Sequence, residues 1–409
     1  MRLFTALGPG DIVAAHRAQI AGESVASETS LIFSGQLLEY CREQGIETLA
    51  LSDNSRLDSL ADGFLYLENR PCWLGGRSGL YYHLSKIARA LYFTVRAKRF
   101  GADLAIVDSG SVHYFALATF WLASIPIVIN FHNTLWPNGS RPKRKVARLI
   151  QYLDSIFFRY VAAGALGCSP ECGRQAQQLA GYSLPYFEYR SQFRASDFRI
   201  RETLPDKPDK SVFRIVFAGR IERSKGVFDI ISIAERLKES VVPVVFEVCG
   251  GGGALPELRR VVEEGGLSKE VRIYGKLERA DLLKVYNRAH AVIVPTRSDF
   301  CEGLPLVCAE AILSGLPLIT SRLSNATTVL GPAVAEAEPE DIESYVRVIR
   351  TLVEDGLVHK LLSDACVELG TQFIARSQSY PAAVDRLIGS LCEDWNLLKS
   401  FDNMFSRIK

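Results

Sequence analysis

Glu302 and Glu310, with seven residues between them, and the upstream cations Arg220 and Lys225 are the residues whose types and spacing promise chemistry. Carboxylates accept hydrogen bonds from sugar hydroxyls. Cations neutralise a diphosphate, and a guanidinium does so with two parallel hydrogen bonds. Each residue also has a plainer explanation. Pro305 suits the first turn of a helix and Gly315 its end, which puts Glu310 mid-helix among Leu306, Val307, Ala309, Ala311 and Ile312. A carboxylate buried there needs partners, and sugar hydroxyls or a structural salt bridge would serve. Glu302 lies just before that helix, where free backbone amides hold a phosphate or a hydroxyl. A favourable charge at the helix dipole, worth about 0.3–1 kcal/mol, explains it equally. Arg220 and Lys225 follow a strand ending at Gly219, and surface charges are common in such turns.

The elements that must position these residues alternate along the chain. In the first half, strands are expected at 3–6, 47–51, 104–107 and 164–168, with helices at 30–44, 80–100 and 146–161. The apolar stretch 113–131 imitates a membrane span. Pro126 divides it, and β-branched residues follow, so a buried helix leading into a buried parallel strand is expected. The stretch 203–210, with two prolines, charged residues and no apolar period, reads as a linker. A second alternation follows: strands at 214–218, 244–249, 271–274, 291–294 and 317–320, with helices at 226–238, 255–264, 280–289 and 306–313. Two doubly wound α/β halves facing a central cleft are the expected architecture, with ligands at the carboxyl ends of the strands. The expected division is 1–205, 206–371, and a helical segment 372–409 that packs back across both halves.

The bulk composition agrees. A chain of 409 residues is long enough for two cores. Hydrophobic residues at 48% and charged residues at 23% describe a globular protein. The net charge of +2 lends no support to nucleic-acid binding. Nine scattered cysteines, with no C-x-x-C, argue for reduced thiols in a cytoplasmic protein and against a zinc site. The N-terminus lacks the apolar run of a signal peptide and reads as a first strand followed by a loop with Gly8, Pro9 and Gly10. The run Gly250 to Gly253 opens a helix after a strand, but any tight βα turn can be glycine-rich.

Taken together, the segment from Phe213 to Ala326 resembles the donor half of retaining glycosyltransferases of family 4, with the GT-B fold. The likeness is carried by Gly219-Arg220 with Lys225-Gly226, the strand-to-Gly250 turn, Val271 to Gly275, Ala291 to Pro295, and above all Glu302 to Glu310 with Gly315 and Pro317. The resemblance implies that Arg220 and Lys225 bind the donor diphosphate. It implies that Glu310 binds the ribose and that Glu302 contacts the transferred sugar. Gly275 and Lys276 would flank the base, and Gly303 and Leu304 would present amides. Gly219, Gly250 and Leu306 belong to the same donor set. Gly10 would face the diphosphate from the other half, although Pro9 separates two glycines that are usually adjacent. His132 ends an N-terminal strand where the family often places a histidine near the reacting sugar, and His113 is its rival.

The implied reaction is transfer of a sugar from a nucleotide-diphosphate sugar to a glycan or lipid-linked acceptor, with retention of configuration. No Asp-x-Asp occurs, so neither a metal nor another cofactor is expected. A nucleotide-sugar epimerase and a non-catalytic nucleotide-sugar-binding protein are the alternatives. The basic and apolar stretch 141–158 is a candidate for peripheral contact with anionic lipid, or else a core helix with a solvated basic start.

Overall fold

A computed structural model describes residues 1–22, 33–72, 78–141, 144–198, 212–240 and 242–392. The expected linker at 203–210 and the tail 393–409 lie outside them. The N-terminal half runs β1 (Arg2–Ala6), α1 (Ile12–Ile20), α2 (Phe33–Glu43), β2 (Glu47–Ser52), β3 (Asp58–Asp62), β4 (Leu65–Asn69), α3 (Leu80–Phe100) and β5 (Leu104–Asp108). It continues through α4 (Thr119–Leu122), β6 (Ile127–Phe131), α5 (Lys145–Tyr160), β7 (Ala162–Gly167), α6 (Pro170–Ala180) and β8 (Tyr186–Glu188). These strands form one sheet in the order β3-β4-β2-β1-β5-β6-β7-β8, parallel except for β3. β5 and β6 are buried along their whole length, which is why they read as apolar runs up to Asp108 and Asn130.

The C-terminal half comprises β9 (Phe213–Ala218), α7 (Asp229–Glu239), β10 (Val244–Cys249), α8 (Leu255–Glu264), β11 (Val271–Gly275), α9 (Arg279–Arg288) and β12 (Ala291–Val294). There follow α10 (Leu306–Leu313), β13 (Leu318–Thr320), α11 (Ala326–Leu330), β14 (Val334–Glu336), α12 (Ile342–Glu354) and α13 (Gly356–Gly370). Its sheet is wholly parallel, in the order β11-β10-β9-β12-β13-β14. The carboxyl ends of both sheets meet across one cleft, as a doubly wound fold requires of its binding face. The GT-B architecture is therefore present.

The expectation for 113–131 needs correction. In place of a buried helix there is a 3-10 turn, Tyr114–Ala118, and the single turn α4. Trp121 and Leu122 on α4 are 68% and 71% exposed. Ser124, with φ at 58°, breaks the helix before Pro126 can, so the apolar run cannot bury all its side chains. The helix expected from Gly226 begins at Asp229, because Arg223–Lys225 forms a 3-10 turn first.

After α13 the chain returns to the first half. Phe373 packs in the C-terminal core, while Tyr380, Ala383, Val384 and Leu387 join the N-terminal core. Residues 380–392 are helical. The amides of Phe193 and Arg190 donate to the carbonyls of Phe373 and Gln378 at 2.9 and 2.7 Å, which ties the crossing segment down. Leu387 is fully buried against Gly164 of β7. Leu387→Ala should lower stability by about 2–4 kcal/mol through the cavity it leaves. Urea denaturation followed by circular dichroism checks this, and an unchanged midpoint would contradict it.

Candidate active site

The cleft has a volume of ≈ 840 Å³ and is lined from both halves. On the donor side, β9 ends at Ala218 and the turn after it carries Arg220 and Lys225. Both cations sit over the Phe300 ring, Lys225 Nζ at 4.0 Å and Arg220 Cζ at 5.8 Å from its centroid. Arg220 is otherwise held by the half-buried Glu222 at 2.9 Å. Lys225 pairs with Glu302, whose Oε1 also accepts from Thr296 Oγ1 at 3.2 Å. Glu302 is buried, so its charge needs both partners.

Pro305 caps α10, and Glu310 projects from mid-helix into the cleft while remaining largely buried. Tyr286 of α9 donates its hydroxyl hydrogen to Glu310 Oε2 at 2.5 Å. Burial, then the charge of Glu310, holds the Tyr286 phenol well above its usual range, so it stays a donor. One oxygen of Glu310 is thereby fixed in direction at the cleft wall. Gly250 lies where β10 turns toward α8. A Cβ on it would collide with the Gly219 carbonyl oxygen, so these two turns can lie side by side only with glycine there.

On the acceptor side, β5 and β6 end side by side at Asp108 and Phe131, which places His132 next to Asp108. His132 Nε2 meets Asp108 Oδ2 at 3.0 Å, and Asn130 Nδ2 donates to Asp108 Oδ1 at 2.8 Å. Tyr189 gives its hydroxyl hydrogen to Asn130 Oδ1 at 2.8 Å, which leaves its oxygen to accept from His132 Nδ1 at 3.3 Å. Nε2 of His132 thus faces Asp108 and, at 3.2 Å, the Asn130 amide nitrogen, while Nδ1 faces the Tyr189 hydroxyl. Burial pulls the His132 pKa down, but the charge and hydrogen bond of Asp108 outweigh it, and the net direction is upward. Phe33 packs on the ring at 5.2 Å between centroids.

The two sides touch directly. Asn133 and Gly303 form an antiparallel bridge. The Glu302 carbonyl accepts from Thr134 N at 3.3 Å, Thr134 Oγ1 at 2.9 Å and Asn325 Nδ2 at 2.7 Å. A Cβ on Gly303 would overlap the His132 carbonyl oxygen and the Cys168 sulfur, so only glycine permits this approach.

Of the residues expected from the sequence, His132, Arg220, Lys225, Glu302, Gly10, Gly219, Gly250, Lys276, Leu304, Leu306 and Glu310 all line the cleft. Gly275 and Gly303 stand behind its wall. The Gly275 carbonyl accepts from Gly250 N at 2.8 Å, and Gly303 makes the bridge. His113 is drawn elsewhere: it stacks on His83 and Phe115, and burial, then the neighbouring charge of His83, lowers its pKa to about 4. Sequence reasoning missed Asp108, Tyr189, Tyr286, Thr296 and Phe300. Asp108 alone carried a usable signal, because it ends a buried strand at the binding face.

Two outcomes follow from this geometry. Asp108→Asn should lower the His132 midpoint, seen by NMR titration of its ring protons. The raised midpoint stabilises the fold fully below the unfolded-state value of about 6.5, and the gain is lost as pH rises through the folded value. A midpoint that does not move would contradict the assigned pairing. Gly303→Ala should force the halves apart, giving a larger radius of gyration in X-ray scattering. An unaltered profile would show that the bridge does not hold them.

Comparison with known proteins agrees with this arrangement. Residues 200–370 match the family model for glycosyl transferases group 1. The glycogen synthase of Mycobacterium tuberculosis is 25% identical over 253 residues, which cover 59% of this chain and 57% of that protein. The chain thus spans little more than half the length of that relative. The sulfoquinovosyl transferase of Arabidopsis thaliana is 24% identical over 377 residues, 85% of this chain and 69% of that one. Sucrose-phosphate synthase from Thermosynechococcus elongatus superimposes with a TM-score of 0.68 at 15% identity, over 97% of this chain and 100% of the other. Residues 200–370 thus match the family of glycosyl transferases group 1, and the described chain has a two-domain GT-B fold.

Proposed function

We propose that the protein is a glycosyltransferase that moves a sugar from a nucleotide-diphosphate sugar to a glycan or lipid-linked acceptor, with retention of configuration and without a metal ion. The observation that carries this reading is convergence. Arg220, Lys225, Glu302 and Glu310 reach the cleft from one half, and His132 reaches the same cleft from the other. Breaking the anomeric C–O bond leaves charge on a diphosphate, and preorganised cations lower that barrier. Arg220 and Lys225 are the groups assigned to it. Glu310, oriented by Tyr286, is assigned to the donor ribose, and Glu302 to the transferred sugar.

Among the described residues that line the acceptor side of the cleft, Asp108 is the carboxylate, and both its oxygens are engaged by His132 and Asn130. That favours attack on the face the diphosphate leaves, with the leaving group taking the acceptor proton, over a covalent intermediate on the protein. His132, held against Asp108, is assigned as a fixed cation beside the reacting sugar and not as a general base. The lipid-linked form of the acceptor is supported by the basic stretch 141–158. A place in the cytoplasm is supported by cysteines that are all free among the described residues.

A panel of nucleotide-diphosphate sugars and acceptors, with hydrolysis and transfer followed separately, tests the reading. Arg220→Ala and Glu310→Ala should each reduce transfer at least about a hundredfold while circular dichroism shows the fold intact. Full activity in both variants would remove the site assignment. NMR of the product should show the donor's anomeric configuration, with a rate unchanged by EDTA. An inverted product would end the proposed mechanism.

A further inference from the structure

The net charge of +2 conceals a strong separation of charge. Residues 71–160 hold twelve lysines and arginines against three acids, while the remainder of the chain holds 36 against 43. Of the three acids, Asp108 and Asp154 are buried and hydrogen-bonded, and Asp103 binds the Arg2 amide at the far edge of β5. Among the described residues, Lys98, Arg99, Arg144, Lys145 and Arg148 make no ion pair. Elsewhere on the molecule, exposed arginines are commonly paired, as Arg236, Arg260 and Arg322 are.

The same segment carries exposed apolar side chains in rows. On α5, Val146, Leu149, Tyr152, Ile156 and Tyr160 recur at spacings of three and four, so they share one helix face. All five are exposed, Tyr160 to 70%. On α3, Leu80, Leu84, Leu91 and Val95 form a second row, each exposed by 46% or more. Trp121 and Leu122 of α4 stand between them. The crossovers β4-α3-β5, β5-α4-β6 and β6-α5-β7 all step in one direction along the sheet, so right-handed connections put the three helices in a single layer. The 3-10 turn Tyr114–Ala118 touches α3, α4 and α5, which confirms that they are neighbours. Beside the α5 row lies a groove of ≈ 770 Å³ lined by Trp136, Arg141, Arg148, Tyr152 and Gln178 among others, and by no carboxylate.

We propose that this three-helix face of the N-terminal half docks on the surface of an anionic phospholipid bilayer, with the Arg141–Arg148 groove receiving a phosphate headgroup. Exposed aromatic and aliphatic rows enter the headgroup boundary, and unpaired cations beside them meet the lipid charge. No helix among the described residues is long and apolar enough to cross a membrane, so the contact is peripheral. A nucleic acid would match the cations but leave the apolar rows wet. A second copy of the same face would set cation against cation. The proposal deepens the lipid-linked reading of the acceptor but is tested without donor or transfer, so each can fail while the other stands.

The test is co-sedimentation of the full chain with vesicles of phosphatidylcholine alone or with about 30% phosphatidylglycerol. Partition into the anionic vesicles should exceed that into neutral ones at least about tenfold, and should fall as salt rises. The triple variant Trp121→Ser/Leu149→Ser/Tyr152→Ser and the double variant Arg144→Glu/Arg148→Glu should each lose at least about tenfold, with thermal unfolding and nucleotide binding retained. Arg144→Lys/Arg148→Lys should bind as the parent does. No partition into anionic vesicles, or equal partition by the first two variants, would overturn the proposal. So would a dimer in sedimentation velocity that the triple variant converts to monomer, since the face would then belong to a second copy.

Discussion

The structure depends on one residue that looks both ways. Glu302 offers its carbonyl oxygen to Thr134 of the N-terminal half and to Asn325, while its carboxylate holds Lys225 on the donor side. The adjacent bridge between Gly303 and Asn133 brings the end of β6 against the start of α10. His132 on one half is therefore placed relative to the donor residues by backbone pairing, not by a flexible side chain. Breaking a pair such as Lys225–Glu302 by removing one partner costs about 3–5 kcal/mol, because a buried charge is left behind. A donor diphosphate that draws on Lys225 acts on the same residue that joins the halves. Binding and closure thus share one point of contact.

Electrostatics divides the molecule into three regions. At the donor wall, Arg220 and Lys225 sit over Phe300, a ring that orders both cations without neutralising either. At the acceptor wall, Asp108 favours the charged form of His132, and Tyr189 and Asn130 fix the orientation of that pair. On the outer layer of the N-terminal half, Lys98, Arg99, Arg144, Lys145 and Arg148 make no ion pair among the described residues and accompany exposed apolar rows. The first two regions are the ones proposed to hold a donor and its sugar. The third is the face proposed to meet an anionic plane.

The two-sheet architecture was legible because parallel strands buried on both faces read as apolar runs, as in 104–107 of β5, 127–129 of β6 and 244–246 of β10. The donor motif was legible because its residues lie close in sequence, at the ends of successive strands. The partners that tune them were not. Tyr286 lies on α9, 24 positions before Glu310, and Asp108 lies 24 before His132, so only the sheet order brings each pair together. The hairpin β3-β4 was missed because β3 alternates partly buried with exposed positions and carries two aspartates. The exposure of Trp121 was hidden by the length of its apolar run, and the extent of the basic face beyond 141–158 was hidden by a sum over the whole chain. The former needed the turn at Ser124, and the latter needed the segment counted separately.

The central claim is that Glu302 and Gly303 hold a closed cleft in which the diphosphate of a donor lies on Arg220 and Lys225. The most direct measurement is a crystal structure of the full chain with a bound nucleoside diphosphate. The account predicts phosphate oxygens within hydrogen-bond distance of both cations, with Asn133 still paired to Gly303. A nucleotide seated away from both cations, or seated on them with that pairing lost, would contradict it.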